Sequence, residues 1–185
     1  VRDRTAELIE RLANLMATEL RLAAAGRGLL AVHAHVLHYL VRCNRYSNTA
    51  GALASYLGLT KGTISQSLSV LERRGLIVRR DDPADRRVVR LELTPEGSET
   101  AAVLFPPASW RLLDDEPEAA DALEELLRTL QQHHGGRSFG VCSSCRHFLR
   151  EPAGGFRCAL TREPLDARDA TMICREHELE PALAV

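Results

Sequence analysis

Four of the five cysteines in this 185-residue chain fall in its last quarter, as Cys142-x2-Cys145-x12-Cys158-x15-Cys174. A Cys-x-x-Cys pair can place two sulfurs on one metal through a tight turn, and two further ligands close a tetrahedron. His147 lies close to the second cysteine and His177 close to the last. The apolar residues around them are few, chiefly Phe139, Phe148, Leu149, Phe156 and Leu160. Such a piece would hardly fold alone, and a bound structural zinc would add stability on the order of ten kcal/mol. Zinc held by Cys142, Cys145, Cys158 and Cys174 is the first reading, with Cys142, Cys145, Cys174 and His177 as a variant. A [4Fe-4S] cluster competes, because Cys158 and Cys174 are solitary rather than a second knuckle and clusters often take scattered cysteines. Unmetallated or redox-active thiols are the third reading. A closed four-thiolate zinc site has no open coordination position and is structural, whereas a cluster would make the chain a sensor of oxygen, oxidants or iron.

A second set of residues carries charge. Between Lys61 and Arg90 stand eight basic residues, Lys61, Arg73, Arg74, Arg79, Arg80, Arg86, Arg87 and Arg90, against four acidic ones, Glu72, Asp81, Asp82 and Asp85. The chain as a whole has a formal net charge of -1 and a pI near 6.7, so any surface for a polyanion is local. Arg73, Arg74, Arg79 and Arg80 read equally as phosphate contacts or as a solvated face.

Other residues look chemical and read as structural. His33-x-His35, with His38 nearby, could suggest a metal motif, but the surrounding period is helical and residues two apart on a helix point to different sides. A helix-face or effector-pocket role fits these three better. Cys43 reads as a buried or semi-exposed thiol with no activating neighbour in sequence. The zinc deaminase signature is missing, since Val141 rather than proline precedes Cys142. With no Gly-rich phosphate loop and no nucleophile elbow, the chain is expected not to be an enzyme.

The elements that must position these residues follow from periodicity. Leu8, Leu12, Leu15, Met16 and Leu20 mark an amphipathic helix from Thr5 to Leu22, and Val32, Val36, Leu40 and Val41 a second from Leu29 to Arg42. A short Ala-rich helix, Thr49 to Leu57, can be capped by Asn48 or Thr49. Gly58 permits a sharp reversal into a third segment, Thr60 to Arg74, which Gly75 ends in a left-handed cap. The period then changes. Leu76, Ile77 and Val78, a turn at Asp81 to Asp85, and the alternation of Val89, Leu91 and Leu93 form a charged-tip hairpin. Thr94 caps another helix with Pro95 at its first position. Pro106 and Pro107 must break that helix. An acidic run follows through Asp114, Asp115, Glu116, Glu118, Asp121, Glu124 and Glu125, and a helix with Leu123, Leu126, Leu127 and Leu130 on one stripe, ended by Gly135 and Gly136.

Two short helices joined by a tight turn and followed by a basic hairpin are the helix-turn-helix plus wing arrangement, whose second helix enters the major groove. At this point the chain resembles the MarR family of bacterial regulators. The resemblance rests on Leu53 to Ser65, on Leu71-Glu72-Arg73-Arg74-Gly75-Leu76-Ile77, and on Arg80-Asp81-Asp82-Pro83-Ala84-Asp85-Arg86-Arg87 leading to Leu93-Thr94-Pro95-Glu96-Gly97. It implies a homodimer whose first and last helices interlock, two recognition helices in successive major grooves of a pseudo-palindromic double-stranded DNA operator, and wings reaching the minor groove. By the same resemblance Arg86, with Arg87 beside it, is the minor-groove arginine and Asp85 the carboxylate that fixes the hairpin tip. On the recognition helix, Lys61, Thr63, Ser65 and Gln66 occupy the N-terminal and outward positions that reach bases and phosphates. The interruption at Pro106, Pro107 and Trp110 departs from the family's long, continuous penultimate helix.

The expected fold is mainly α with a small β-hairpin wing, a winged helix-turn-helix, plus a small metal-stabilised C-terminal module. Residues 1–134 form the DNA-binding and dimerisation part, with the helix-turn-helix at 49–75 and the wing at 76–93; residues 139–180 form the Cys-rich module. No apolar run is long enough to span a bilayer, the longest being broken by His33, His35 and His38, and the first residues lack the apolar core of a signal peptide; a cytoplasmic location is expected. The function expected is a transcriptional regulator, a repressor in its simplest form, answering a small-molecule effector or a redox signal. The alternative is a zinc-stabilised winged-helix interaction module that does not bind DNA.

Overall fold

Helices begin where a capping group meets the apolar period. In the computed structural model, which describes residues 4–113, 117–133, 138–152 and 154–179, α1 covers Arg4–Ala25 and α2 covers Ala31–Arg42. The α2 start is held by His33, whose Nδ1 accepts the Leu30 N–H at 3.2 Å. α3 is Ala50–Leu57, capped by the Thr49 hydroxyl, and α4 is Lys61–Arg73, capped by that of Thr60. Gly58 and Gly75 both take the left-handed conformation that the two reversals demand. β1 (Ile77–Asp81) pairs antiparallel with β2 (Val89–Leu93), Ile77 opposite Leu93 and Asp81 opposite Val89. α5 (Pro95–Leu104) follows at once, Thr94 accepting the Gly97 N–H at 3.0 Å.

The core forms around α2. Val36, Leu37 and Tyr39 pack against Leu20 and Ala24 of α1, Leu53 of α3, Ile64, Leu68 and Leu71 of α4, Ile77 and Leu91 of the hairpin, and Leu104 of α5. Each such leucine or isoleucine, taken fully from water, contributes roughly 1.5–3 kcal/mol. The helix-turn-helix is therefore one layer over a central helix, with its outer face left to solvent.

α5 stops at Leu104, ahead of Pro106 and Pro107, and a 3-10 turn over Ala108–Leu113 replaces it. α6 then covers Pro117–His133 and buries none of its residues. The expected helix-ending Gly135 and Gly136, and the acids Asp114, Asp115 and Glu116, lie outside the described residues.

The C-terminal part contains strands that periodicity did not announce. A 3-10 turn, Cys142–Ser144, leads into an antiparallel sheet of β3 (Phe148–Arg150), β4 (Phe156–Cys158) and β5 (Pro164–Leu165), then α7 (Ala167–Thr171). It is joined to the body: the Ile173 N–H donates to Arg42 O at 2.8 Å, the Asn44 N–H donates to Ile173 O at 2.9 Å, and Ile173 belongs to the main core. Among the described residues no helix is long and apolar enough to cross a membrane.

Candidate nucleic-acid interface and cysteine cavity

On α4, Ile64, Ser67, Leu68 and Leu71 turn inward, and Lys61, Thr63, Ser65 and Gln66 are all exposed on the opposite side. Thr63 is partly engaged, its hydroxyl 2.9 Å from that of Thr60 at the helix cap. Lys61, Ser65 and Gln66 present their side chains outward from the first two turns, where the unpaired N–H groups of the helix also favour an anion.

The hairpin tip is built by two aspartates. Asp85 accepts the Arg87 backbone N–H at 3.0 Å and, through its two oxygens, the Nε–H and Nη2–H of the same guanidinium, each at 2.9 Å. Asp82, which sequence reasoning did not single out, accepts the N–H groups of Ala84 and Asp85 and pairs with Arg90 at 2.7 Å. The arginine partners hold both carboxyls below the usual carboxylate range, Arg90 for Asp82 and Arg87 for Asp85. Arg86 is left exposed at the tip with no ion-pair partner among the described residues. Arg87, expected beside it, is exposed but clipped to Asp85.

Three of the four arginines with two open readings have a third role. Arg74 donates to the carbonyls of Gly28 at 2.7 Å and Arg27 at 3.0 Å, Arg79 pairs with Glu72 at 3.1 Å, and Arg80 pairs with Glu92 at 2.8 Å. Arg90 is internal as well: besides Asp82 it reaches Tyr46 O at 3.2 Å and Asn48 Oδ1 at 3.3 Å, fixing the wing to the segment before α3. The charge offered to a ligand is thus narrower than the count of basic residues suggests.

The three histidines of α2 do not converge on a metal. His33 is spent on the helix cap, and His38 stacks on Phe105 with ring centroids 4.0 Å apart. Burial, then Arg42 and His35, bring the His38 pKa down to about 4, so the ring is neutral. His38, Val41, Leu93, Phe105 and Trp110 line an open groove between α2 and α5. Cys43 is buried and its thiol is pushed up to about 12 by that burial, which leaves it unreactive.

Cys142, Cys145, Cys158 and Cys174 all line one small cavity, walled by Phe148, Leu160 and Leu165 and closed from the body side by Asn44 and Tyr46. The Asn44 side-chain amide donates to Cys142 Sγ at 3.4 Å and the Glu178 backbone N–H to Cys145 Sγ at 3.5 Å. Cys142 and Cys174 are hydrogen-bonded to each other, which holds the Cys174 thiol below and the Cys142 thiol above the ordinary value. His147 lines the same cavity. His177 does not; its two ring nitrogens meet the hydroxyls of Ser138 and Ser144, the second at 3.0 Å, outside the thiol cavity. The four cysteines thus line one space that His177 does not enter.

Two short helices across a glycine reversal, the second open on its outer face, followed by an arginine-tipped hairpin, define a winged helix-turn-helix protein. The chain belongs to the MarR family, whose profile matches residues 27–88. The HTH-type transcriptional regulator YkoM of Bacillus subtilis is 32% identical over 85 residues, 44% of this chain. That match spans 55% of YkoM, so the chain covers about half the length of this curated relative. The crystal structure of the transcriptional regulator PA3341 is 30% identical and superposes with a TM-score of 0.61 over 71% of this chain and 98% of its own. CouR from Rhodococcus jostii RHA1, solved with bound p-coumaroyl-CoA, is 25% identical with a TM-score of 0.55 over 70% of this chain and 90% of its own.

Proposed function

We propose that the chain is a dimeric, sequence-specific DNA-binding transcription regulator that answers a small-molecule or redox signal and carries a cysteine-bound metal centre. The observation that carries the DNA reading is the division of labour among the arginines: Arg74, Arg79 and Arg80 are occupied internally, while Arg86 is exposed at the wing tip and α4 leaves its outer face open. In this reading Lys61, Ser65 and Gln66 approach the major groove with Thr63 at the helix cap, and Arg86 enters the minor groove with Arg87 and Asp85 holding its loop. The names of YkoM and PA3341 as transcriptional regulators support it.

Dimer formation is supported by two apolar faces that the single chain leaves bare. Leu8, Leu12 and Leu15 of α1 and Leu123, Leu127 and Leu130 of α6 are all exposed. Interlocking these helices removes both faces from water. For the signal, the groove lined by His38, Phe105 and Trp110 suits a small ligand with an apolar body, and CouR's ligand shows that a relative of this fold takes one. The metal centre is supported by the convergence of Cys142, Cys145, Cys158 and Cys174 on one cavity.

The test is selection of duplexes from a random-sequence pool by the full chain, followed by affinity measurement on the selected duplex. An inverted repeat with half-sites about one helical turn apart is expected. Failure to enrich any sequence, or retention of full affinity by Arg86→Ala, would overturn the reading.

A further inference from the structure

An antiparallel bridge between Val141 and Ile173 brings two of the tail cysteines together. Across it the Cys142 N–H donates to Met172 O at 3.1 Å and the Cys174 N–H to Gly140 O at 3.0 Å, so each cysteine stands one residue past the bridged pair. Their sulfurs line one cavity and are hydrogen-bonded to each other. The other two are placed differently: Cys145 Sγ takes the Glu178 N–H at 3.5 Å, and Cys158 lies on β4 opposite Phe148. Sulfurs already in contact have only to close to about 2.05 Å to bond. The two differ in access, Cys142 being buried and Cys174 half-buried, so an oxidant arriving from solvent meets Cys174 first.

We propose that Cys142 and Cys174 are a redox pair that a hydroperoxide closes into a disulfide, and that this closure is the signal passed to the DNA-reading unit. The step rests on the redox arm of the regulator reading and needs no metal. The Cys174 sulfur attacks one oxygen of the hydroperoxide; an S–O bond forms, the O–O bond breaks, and an alcohol (water, from hydrogen peroxide) leaves with the thiol proton. The Cys142 sulfur then attacks the resulting sulfenic acid; the S–S bond forms, the S–O bond breaks, and the hydroxyl leaves as water with the second thiol proton. Two thiols lose two electrons and two protons, and the hydroperoxide takes them up.

The route outward is the segment 43–48 between α2 and α3. Its Asn44 and Ser47 are fully buried polar residues. The Asn44 amide donates to Cys142 Sγ at 3.4 Å and also reaches Cys174, and the Ser47 hydroxyl meets Cys174 as well. The same segment holds the wing, through Arg90 to Tyr46 O and Asn48 Oδ1 and through the Leu91 N–H to Asn48 O at 2.8 Å. Thr49, the next residue, caps α3. A disulfide carries no charge and accepts hydrogen bonds weakly, so closure deprives two buried donors of their acceptors and loosens the segment that fixes the wing.

The full chain, purified under reductant with its metal content recorded, is treated with hydrogen peroxide, its free thiols are capped with iodoacetamide, and it is cut with trypsin. Cys142 and Cys145 then fall in peptide 138–146, Cys158 in 158–162 and Cys174 in 169–175. A disulfide joining 138–146 to 169–175 is expected, kept in Cys145→Ser and lost in Cys174→Ser. Capped thiols throughout, or a bond between any other two cysteines, overturns the pair; the recorded metal content judges the metal centre separately. On the duplex selected above, oxidised wild type is expected to bind about fivefold more weakly than reduced, with Cys174→Ser unchanged by peroxide. Equal affinity of the oxidised and reduced wild type overturns the signal and leaves the disulfide standing. Absence of any selected duplex overturns the regulator reading, and the signal with it.

Discussion

Gly97 sits where the first turn of α5 crosses the backbone of Leu76. A Cβ added there would lie 1.9 Å from Leu76 O, backbone that cannot swing away. Gly97→Ala should destabilise the fold by about 2–3 kcal/mol, read as a thermal midpoint about 5–10 °C lower. His38 gives a pH prediction. Its ring is neutral in the folded chain, with the pKa depressed from 6.5 to about 4, while the unfolded chain protonates it at the ordinary value. The stabilisation is complete above pH 6.5 and is lost as pH falls from there toward 4. His38→Gln should flatten part of that acid-side decline in melting temperature; an identical slope in both proteins would contradict the assignment. Neither role was open to sequence reading. Gly97 could be read only as a helix-start residue, because the backbone it meets belongs to another element, and His38 could be placed on a helix face but not against Phe105.

At the scale of elements, the helix-turn-helix and wing were legible because their signals are local: the hydroxyl caps at Thr49, Thr60 and Thr94, the left-handed glycines at 58 and 75, and the alternation of Val89, Leu91 and Leu93. The outward set on α4 follows from the same period. What the sequence could not apportion was the basic charge, since whether an arginine is free depends on a carboxylate or carbonyl brought near by folding. The contrast yields a paired prediction on the selected duplex. Arg86→Ala should cost about tenfold in affinity and reduce the salt dependence by about one ion, while Arg79→Ala, already neutralised by Glu72, should change affinity less than about twofold. The tail was legible only in its thiols. Strands of two or three residues are too short to show alternation, and the docking of Ile173 beside Arg42 is a contact between distant parts of the chain.

For the whole molecule, the exposed leucines of α1 and α6 predict the state of association. Leu15→Glu together with Leu127→Glu should convert a dimer to a monomer in light scattering, with the helix content of the folded body retained. A dimer that survives the double substitution would place the interface elsewhere. The break between α5 and α6 at Pro106 and Pro107 was visible in the sequence, because proline acts on its own turn; that α6 would bury none of its residues was not, because burial depends on what folding brings against it. The guanidinium of Arg74 adds a consequence for the dimer. By clasping the carbonyls of Arg27 and Gly28 it hitches the rear of the recognition helix to the corner that follows α1. In the proposed dimer on DNA, a tilt of one α1 against its counterpart would pass through this clasp to the C-terminal end of α4 and so shift the helix that faces the groove.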